Sequence, residues 1–262
     1  MKPEDIERTS FEIIDEEAGN HDFDESQWSI VRRMIHTTAD FEFKEIVRFH
    51  PQAIAAGIAA IHSGKMVITD TNMARVGIRS NALAQFGGSV KCYINDPLIH
   101  EKAKSNGSTR AKVAVDMAVG DMQDGIYVVG NAPTALLRLI ELIKAGKARP
   151  ALIVGLPVGF VNAAESKTAL MELDYPYISN MGRKGGSNLA ASVVNALTIL
   201  AGKGQGAKGR AHGAEGRVHG AEGKGAKSRV HGAEGVAQRR GPGAKKALRW
   251  RSGPLVLEER FA

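Results

Sequence analysis

Four short runs of branched and apolar residues constrain this chain more than anything else in it. They are Met66–Thr69, Val90–Ile94, Ile126–Val129 and Ala151–Val154. Each is too short for a helix, and each is followed by Gly, Asp or Asn, as strands buried on both faces of a parallel sheet are. A weaker run, Pro176–Ser179, completes a set of about five. Longer helical patterns separate most of them, so the strands cannot be joined by hairpins. The pattern predicts a doubly wound α/β domain of three layers with a mostly parallel sheet.

The helices carry start and stop signals. Asp24 and Ser26 precede Trp28, Val31 and Ile35, which share one helical face. Pro133 stands where a first helical turn tolerates it, Leu136, Leu139, Ile140 and Ile143 follow on one face, and Gly146 ends the segment. Ser187 is placed to cap a last helix containing Leu189, Val193, Ala196, Leu197 and Leu200.

After Ala201 the composition changes. Met, Asn, Asp, Tyr and Ile disappear, and His-Gly-Ala-Glu-Gly occurs at 212–216, 219–223 and 231–235 without a fixed period. Such units lack the apolar face that stacked repeats need. The expectation is a domain over 1–201 and a disordered, Gly/Lys/Arg-rich tail over 202–262. The abrupt change also fits a fused extension or a foreign reading frame. This division decides how to read the charge. The whole chain is +7, which invites a nucleic-acid reading. Yet residues 202–262 hold 14 of its 35 basic and 5 of its 28 acidic residues, leaving 21 basic against 23 acidic in the first 201. The body is slightly acidic, and nucleic-acid binding, by the tail or otherwise, is not expected.

Other classes fall away quickly. Cys92 is the lone cysteine, which excludes an intrachain disulfide and a Cys-based zinc site. No apolar run reaches the roughly 18–20 residues of a membrane helix, and no secretory pattern opens the chain. A cytoplasmic location is expected. His50, His62 and His100 lack metal-ligand spacing, so no metal is expected.

The turns at 130–134, 155–159 and 182–187 each follow a strand and lead towards a helix, where free N–H groups and a partial positive charge favour an anion. Structural turn chemistry is an even alternative for any one of them. Arg183 and Lys184 make the third the most suggestive. Asp70 and Asp96 each end a strand and read as turn or helix caps. His36 lies near the end of an amphipathic helix, with Arg33 one turn before it. A histidine there is more often packing or capping. It can also be a proton donor or acceptor, with Arg33 holding a carboxylate nearby. Spacing alone leaves both readings open.

Several stretches, in order and at natural spacing over residues 5–200, together resemble one family. They are Arg8–Ile14, Arg33–His36, Thr69–Ala74, Asp96–Pro97, Thr109–Arg110, Gly130–Leu136, Pro157–Lys167 and Gly182–Ser187. The set resembles precorrin-8X methylmutase, or precorrin isomerase, and Thr69–Ala74 is more like the cobalt-precorrin-8 branch. The resemblance implies an isomerase of cobalamin biosynthesis that moves a methyl group from C-11 to C-12 of precorrin-8X or cobalt-precorrin-8, giving hydrogenobyrinate or cobyrinate. It implies no cofactor, any cobalt belonging to the substrate, a flavodoxin-like sheet and a homodimer. It matches His36 to the catalytic histidine, Ser10 and Arg33 to substrate-contacting residues, and Arg110 to a further arginine of the motif. The rival reading is a non-catalytic α/β protein that binds a carboxylated tetrapyrrole.

Overall fold

The computed structural model describes residues 3–215. Two helices lead, α1 (Pro3–Ala18) and α2 (Glu25–Thr38). Next come a short α3 (Phe43–Ile46), β1 (Val47–Phe49), α4 (Ala53–His62) and β2 (Val67–Thr69). The helices α5 (Asn72–Gly77) and α6 (Ser80–Ala84) lead to β3 (Val90–Cys92), then α7 (Pro97–Ser105), α8 (Arg110–Ala118) and β4 (Ile126–Val129). The chain continues through α9 (Pro133–Lys144), β5 (Leu152–Gly155), α10 (Ala163–Met171), β6 (Tyr177–Asn180) and α11 (Ser187–Glu215). The last helix thus runs past the compositional break at Ala201. The rest of the expected tail, 216–262, lies outside the described residues.

The sheet has six strands in the order β1-β6-β5-β4-β2-β3. From β2 onward every pairing is parallel, and the order of those five strands is the flavodoxin-like one, with its switch point between β2 and β4. The sixth strand is the one the sequence pattern missed. β1 pairs antiparallel with β6, Val47 opposite Asn180 and Phe49 opposite Ile178. It is three residues long, carries Arg48 at its centre and sits at the sheet edge, so it has no long branched run to betray it.

Strict alternation along the strands builds the three layers. Val67, Ile126, Val128, Leu152, Val154 and Ile178 face one layer, where they join Ile30, Val31, Met34 and Ile35 of α2 and Leu189, Val193 and Leu197 of α11. The intervening Ile68, Tyr127, Val129 and Ile153 face the other, against Val115, Leu136, Leu139 and Leu170. Burial in that layer pushes the Tyr127 hydroxyl far above its ordinary range.

The carboxyl ends of β2 and β4 are tied by Asp70. Its buried carboxylate accepts hydrogen bonds from the backbone N–H groups of Gly130 (2.9 Å), Asn131 (2.9 Å) and Ala132 (2.8 Å). Burial pushes this carboxyl above the usual carboxylate range, and the three N–H groups pull it back. Asp70 thus braces a turn; the helix cap beside it is Thr71, at the start of α5. The same geometry bears on the expectation that the 130–134 turn offers its N–H groups to a ligand, because those of 130–132 already donate to Asp70. Beside it, a Cβ on Gly130 would stand 2.6 Å from the Ser187 Cα, so only glycine lets the start of α11 lie against the end of β4. Ser187 spends its hydroxyl on Thr71 Oγ1 (2.8 Å).

Replacing Asp70 with Asn keeps one accepting oxygen and sets an amide NH2 against one or two of the three N–H donors. Asp70→Asn should cost about 2–4 kcal/mol, seen as a lower denaturant midpoint at unchanged m-value. A wild-type midpoint would show that this carboxylate does not join the two strands.

Candidate active site

The site forms where α1 crosses α2. Asp24 starts α2 with a reciprocal capping box. Its side chain accepts from the Gln27 N–H (2.8 Å), and the Gln27 side chain accepts from the Asp24 N–H (3.1 Å). Ala39 ends the helix in the left-handed conformation, φ 53°, with its N–H on the Ile35 carbonyl. The buried face of Ile30, Val31, Met34 and Ile35 fixes the helix on the core, which leaves Arg33 and His36 on its rim. His36 stands in the last turn of the helix.

Helix α1 brings the remaining groups. Ser10 Oγ lies 2.8 Å from His36 Nδ1, and the Phe11 ring meets the imidazole edge-on at 5.2 Å. The Arg32 and Arg33 guanidinium groups lie 4.6 and 5.2 Å from the same Phe11 ring. Arg33 Nη1 pairs with Glu7 Oε1 at 2.8 Å, and Arg32 Nη1 with Asp15 Oδ2 at 2.6 Å.

Two cavities open on His36. The larger, about 530 Å³, is walled by Ile6, Ile13, Ile14, Ile35 and Phe41, with Ser10 and His36 at one side. Ile6 and Ile13 are 55% and 49% exposed, apolar surface that a flat apolar ligand would cover. The smaller, about 340 Å³, is polar and lies between α1, α2 and α11. It is lined by Glu7, Arg33, His36, Arg79, Asn188 and Asn195, among others. Among the described residues no group of three or more His, Cys, Asp or Glu side chains is placed to hold a metal ion.

Of the four residues singled out in the sequence, the structure brings together Ser10, Arg33 and His36. It does not add Arg110. That residue opens α8 behind the Thr109 cap, is exposed, and lines neither cavity. The 182–187 turn also departs from expectation. Lys184 Nζ bonds both Asp40 and Glu42, the latter at 2.7 Å, and Arg183 lies over the Phe160 ring at 5.5 Å. Lys184 therefore locks this loop to the chain just beyond α2 and is not offered to a ligand. Its partnership with Asp40 holds that carboxyl below the usual range.

Lys167 is the residue whose part the sequence did not disclose. It lies in the Pro157–Lys167 stretch, fully buried, with no acidic partner among the described residues. Its Nζ donates to the Lys184 carbonyl (2.6 Å) and to Asn180 Oδ1 (3.3 Å). Asn180 Nδ2 donates to the same Lys184 carbonyl (2.9 Å). A buried cation thus pins the loop that Lys184 ties to the end of α2. Burial lowers its pKa to about 8.

With this geometry in view, comparison with known proteins is decisive. The CbiC precorrin-8X methylmutase family matches residues 5–200. The chain belongs to this family. It is 50% identical over 204 residues to cobalt-precorrin-8 methylmutase of Priestia megaterium, covering 78% of this chain and 91% of that protein. It is 38% identical over 194 residues to precorrin-8X methylmutase of Pseudomonas aeruginosa, covering 73% and 93%. The crystal structure of precorrin-8X methyl mutase from Thermus thermophilus superimposes with a TM-score of 0.73 at 46% identity, over 77% of this chain and 97% of that one. The matched segment contains every residue of the α1–α2 site and the whole six-stranded sheet. No helix among the described residues is long and apolar enough to cross a membrane.

The lowered pKa of Lys167 has a signed consequence for stability. Below about pH 8 the folded and unfolded chains both carry its proton. Between about 8 and its ordinary 10.5 only the unfolded chain does. Stability from this group therefore rises with pH across that window. Wild type should gain about 1–3 kcal/mol relative to Lys167→Met between pH 8 and 10.5. Parallel pH profiles for the two proteins would contradict a buried, strained ammonium.

Proposed function

We propose that this protein is the isomerase that carries a methyl group from C-11 to C-12 of a corrinoid, with His36 as the acid that assists the shift. The observation that carries the reading is the Ser10–His36 pair at 2.8 Å on the wall between an apolar and a polar cavity. Such a wall suits a substrate that is a flat apolar ring with carboxylate side chains at its edge. Apolar side chains of α1 would cover the ring, and the polar cavity would take part of the edge.

The reaction is an internal rearrangement. The bond from the methyl group to C-11 breaks, the bond to C-12 forms, and no atom is gained or lost. Protonation of the ring system by His36 draws electron density away from C-11 and lowers the barrier, and the proton returns to the imidazole as the product forms. General-acid assistance of this kind contributes typically ~10²–10⁴-fold. Ser10 fixes the imidazole through Nδ1, and the Phe11 ring holds its edge, so the acid is presented in one orientation. The remaining N–H groups of Arg33 are available to a substrate carboxylate. The chain's own residues supply proton, positioning and enclosure. Cobalt, where present, arrives in the substrate.

The higher identity to the cobalt-precorrin-8 relative supports cobalt-precorrin-8 as substrate and cobyrinate as product. We place the catalytic domain in residues 1–201, in the cytoplasm, and outside it the segment 202–262. We also infer a homodimer. Phe160 and Val161, 84% and 77% exposed, are apolar surface left to water that a second copy would cover. A monomer mass by sedimentation would remove this part of the reading.

Separate incubation with cobalt-precorrin-8 and precorrin-8X, followed by product spectra, tests the activity and the branch. His36→Ala should keep the fold, still bind the corrinoid, and lose at least ~10²-fold in turnover. Arg33→Ala should weaken binding measurably by titration. A His36→Ala enzyme that turns over as wild type would leave the rival reading, a protein that binds the corrinoid without converting it.

A further inference from the structure

The polar cavity beyond His36 has a charge balance that singles out one residue. Arg33 and Glu7 face it as a pair at 2.8 Å and cancel. Arg79 is the other permanently charged side chain on its wall, and it has no acidic partner among the described residues. The backbone of Arg79 is not free. Its N–H donates to Asn195 Oδ1 at 2.9 Å, and Asn195 Nδ2 donates to the Gly77 carbonyl at 3.0 Å. One amide of α11 thus fixes the chain on both sides of Ile78. The fit there is close, since a Cβ on Gly77 would stand 2.9 Å from the Ala191 Cβ. An exposed guanidinium on an anchored backbone, on the same cavity wall as His36 and with no acidic partner among the described residues, can take an anion without giving up a resident one.

We propose that Arg79 is a substrate-binding residue that supplies the net positive charge of the polar cavity and takes a carboxylate at the edge of the corrinoid. This rests on the reading of the site given above. Arg33 adds hydrogen bonds to the same ligand but no net charge, because Glu7 has already balanced it. The cavity stands at +1 from its arginines and glutamate, whatever the protonation of His36. Without Arg79 it stands at zero.

The test is a charge-loss and charge-rescue series on the full chain, read by titration with the product corrinoid, cobyrinate, so that it does not depend on turnover. Arg79→Ala should weaken binding about ten-fold, the equivalent of about 1.4 kcal/mol, and flatten the salt dependence of binding. Arg79→Lys should recover part of the loss. Adding Glu7→Gln to Arg79→Ala returns one net positive charge through Arg33, and binding should return towards wild type. In turnover, Arg79→Ala should raise KM far more than it lowers kcat. Wild-type affinity and salt slope in Arg79→Ala would overturn the proposal. A loss that Glu7→Gln does not rescue would also overturn it, by assigning the effect to packing. Failure of the wild-type enzyme to convert cobalt-precorrin-8, with the titration series behaving as stated, would instead overturn the proposed reaction and leave Arg79 as the anion site.

Discussion

The contact of Asp70 with the backbone at 130–132 decides where this fold can do chemistry. Open parallel sheets bind ligands at the crevice beyond the strand ends, where the strand order reverses. Here that point lies between β2 and β4, and the N–H groups of the turn beside it already have a partner. Asp70 occupies the N–H groups of the turn that leads into α9, and Ser187 lies against Gly130. With those N–H groups taken by the protein's own carboxyl, the polar cavity is walled instead by side chains of α1, α2 and α11 and by the chain at Gly77 and Arg79. The site depends on α1, an addition ahead of the sheet that supplies Ser10, Phe11, Glu7 and much of the apolar wall.

The parts of the fold visible in the sequence are those whose physics is local. The central strands β2, β4 and β5 are runs of branched residues because both faces are buried, β3 shows a similar run at the partly buried edge, and α2 and α9 declare themselves by caps and face periodicity. β1 is held by pairing with β6 alone, and three residues with an arginine at the centre carry no periodic signal. Likewise the second layer of meaning in the turns was not local. Lys184 looks like a ligand-seeking cation until Asp40, 144 residues earlier, is placed against it. Ser187 looks like a helix cap until Thr71 arrives beside it.

The same distinction runs through the site. His36 and Arg33 sit one helical turn apart, so their proximity can be read from the chain. Ser10 lies 26 residues from His36, and nothing in spacing joins them. The family resemblance named all three, and the structure gives the physical reason for their company: α1 packs on α2 through Phe11, which lies against both arginines and the imidazole at once. Arg110, which the motif also matches, opens α8 and lines neither cavity on His36. Lys167 shows the converse. The stretch containing it is distinctive in sequence, but a buried lysine earns its place only through a carbonyl on a loop that must be folded before it exists.

Charge gives the final step. The chain as a whole is basic, but that excess belongs to residues 202–262, and the body carries no strong field to draw in a polyanion. Recognition of carboxylates must therefore be local. Locally, the cations nearest the site are mostly spent: Arg32 on Asp15, Arg33 on Glu7, Lys184 on Asp40 and Glu42. Pairing of this kind serves a binding site by holding each donor group in place. It also means that an incoming carboxylate competes with a resident one at every paired cation. A cavity built only from such pairs would offer an anion spare N–H groups but no net charge. One unpaired guanidinium on a fixed backbone changes that balance, because its contact is gained without a loss elsewhere.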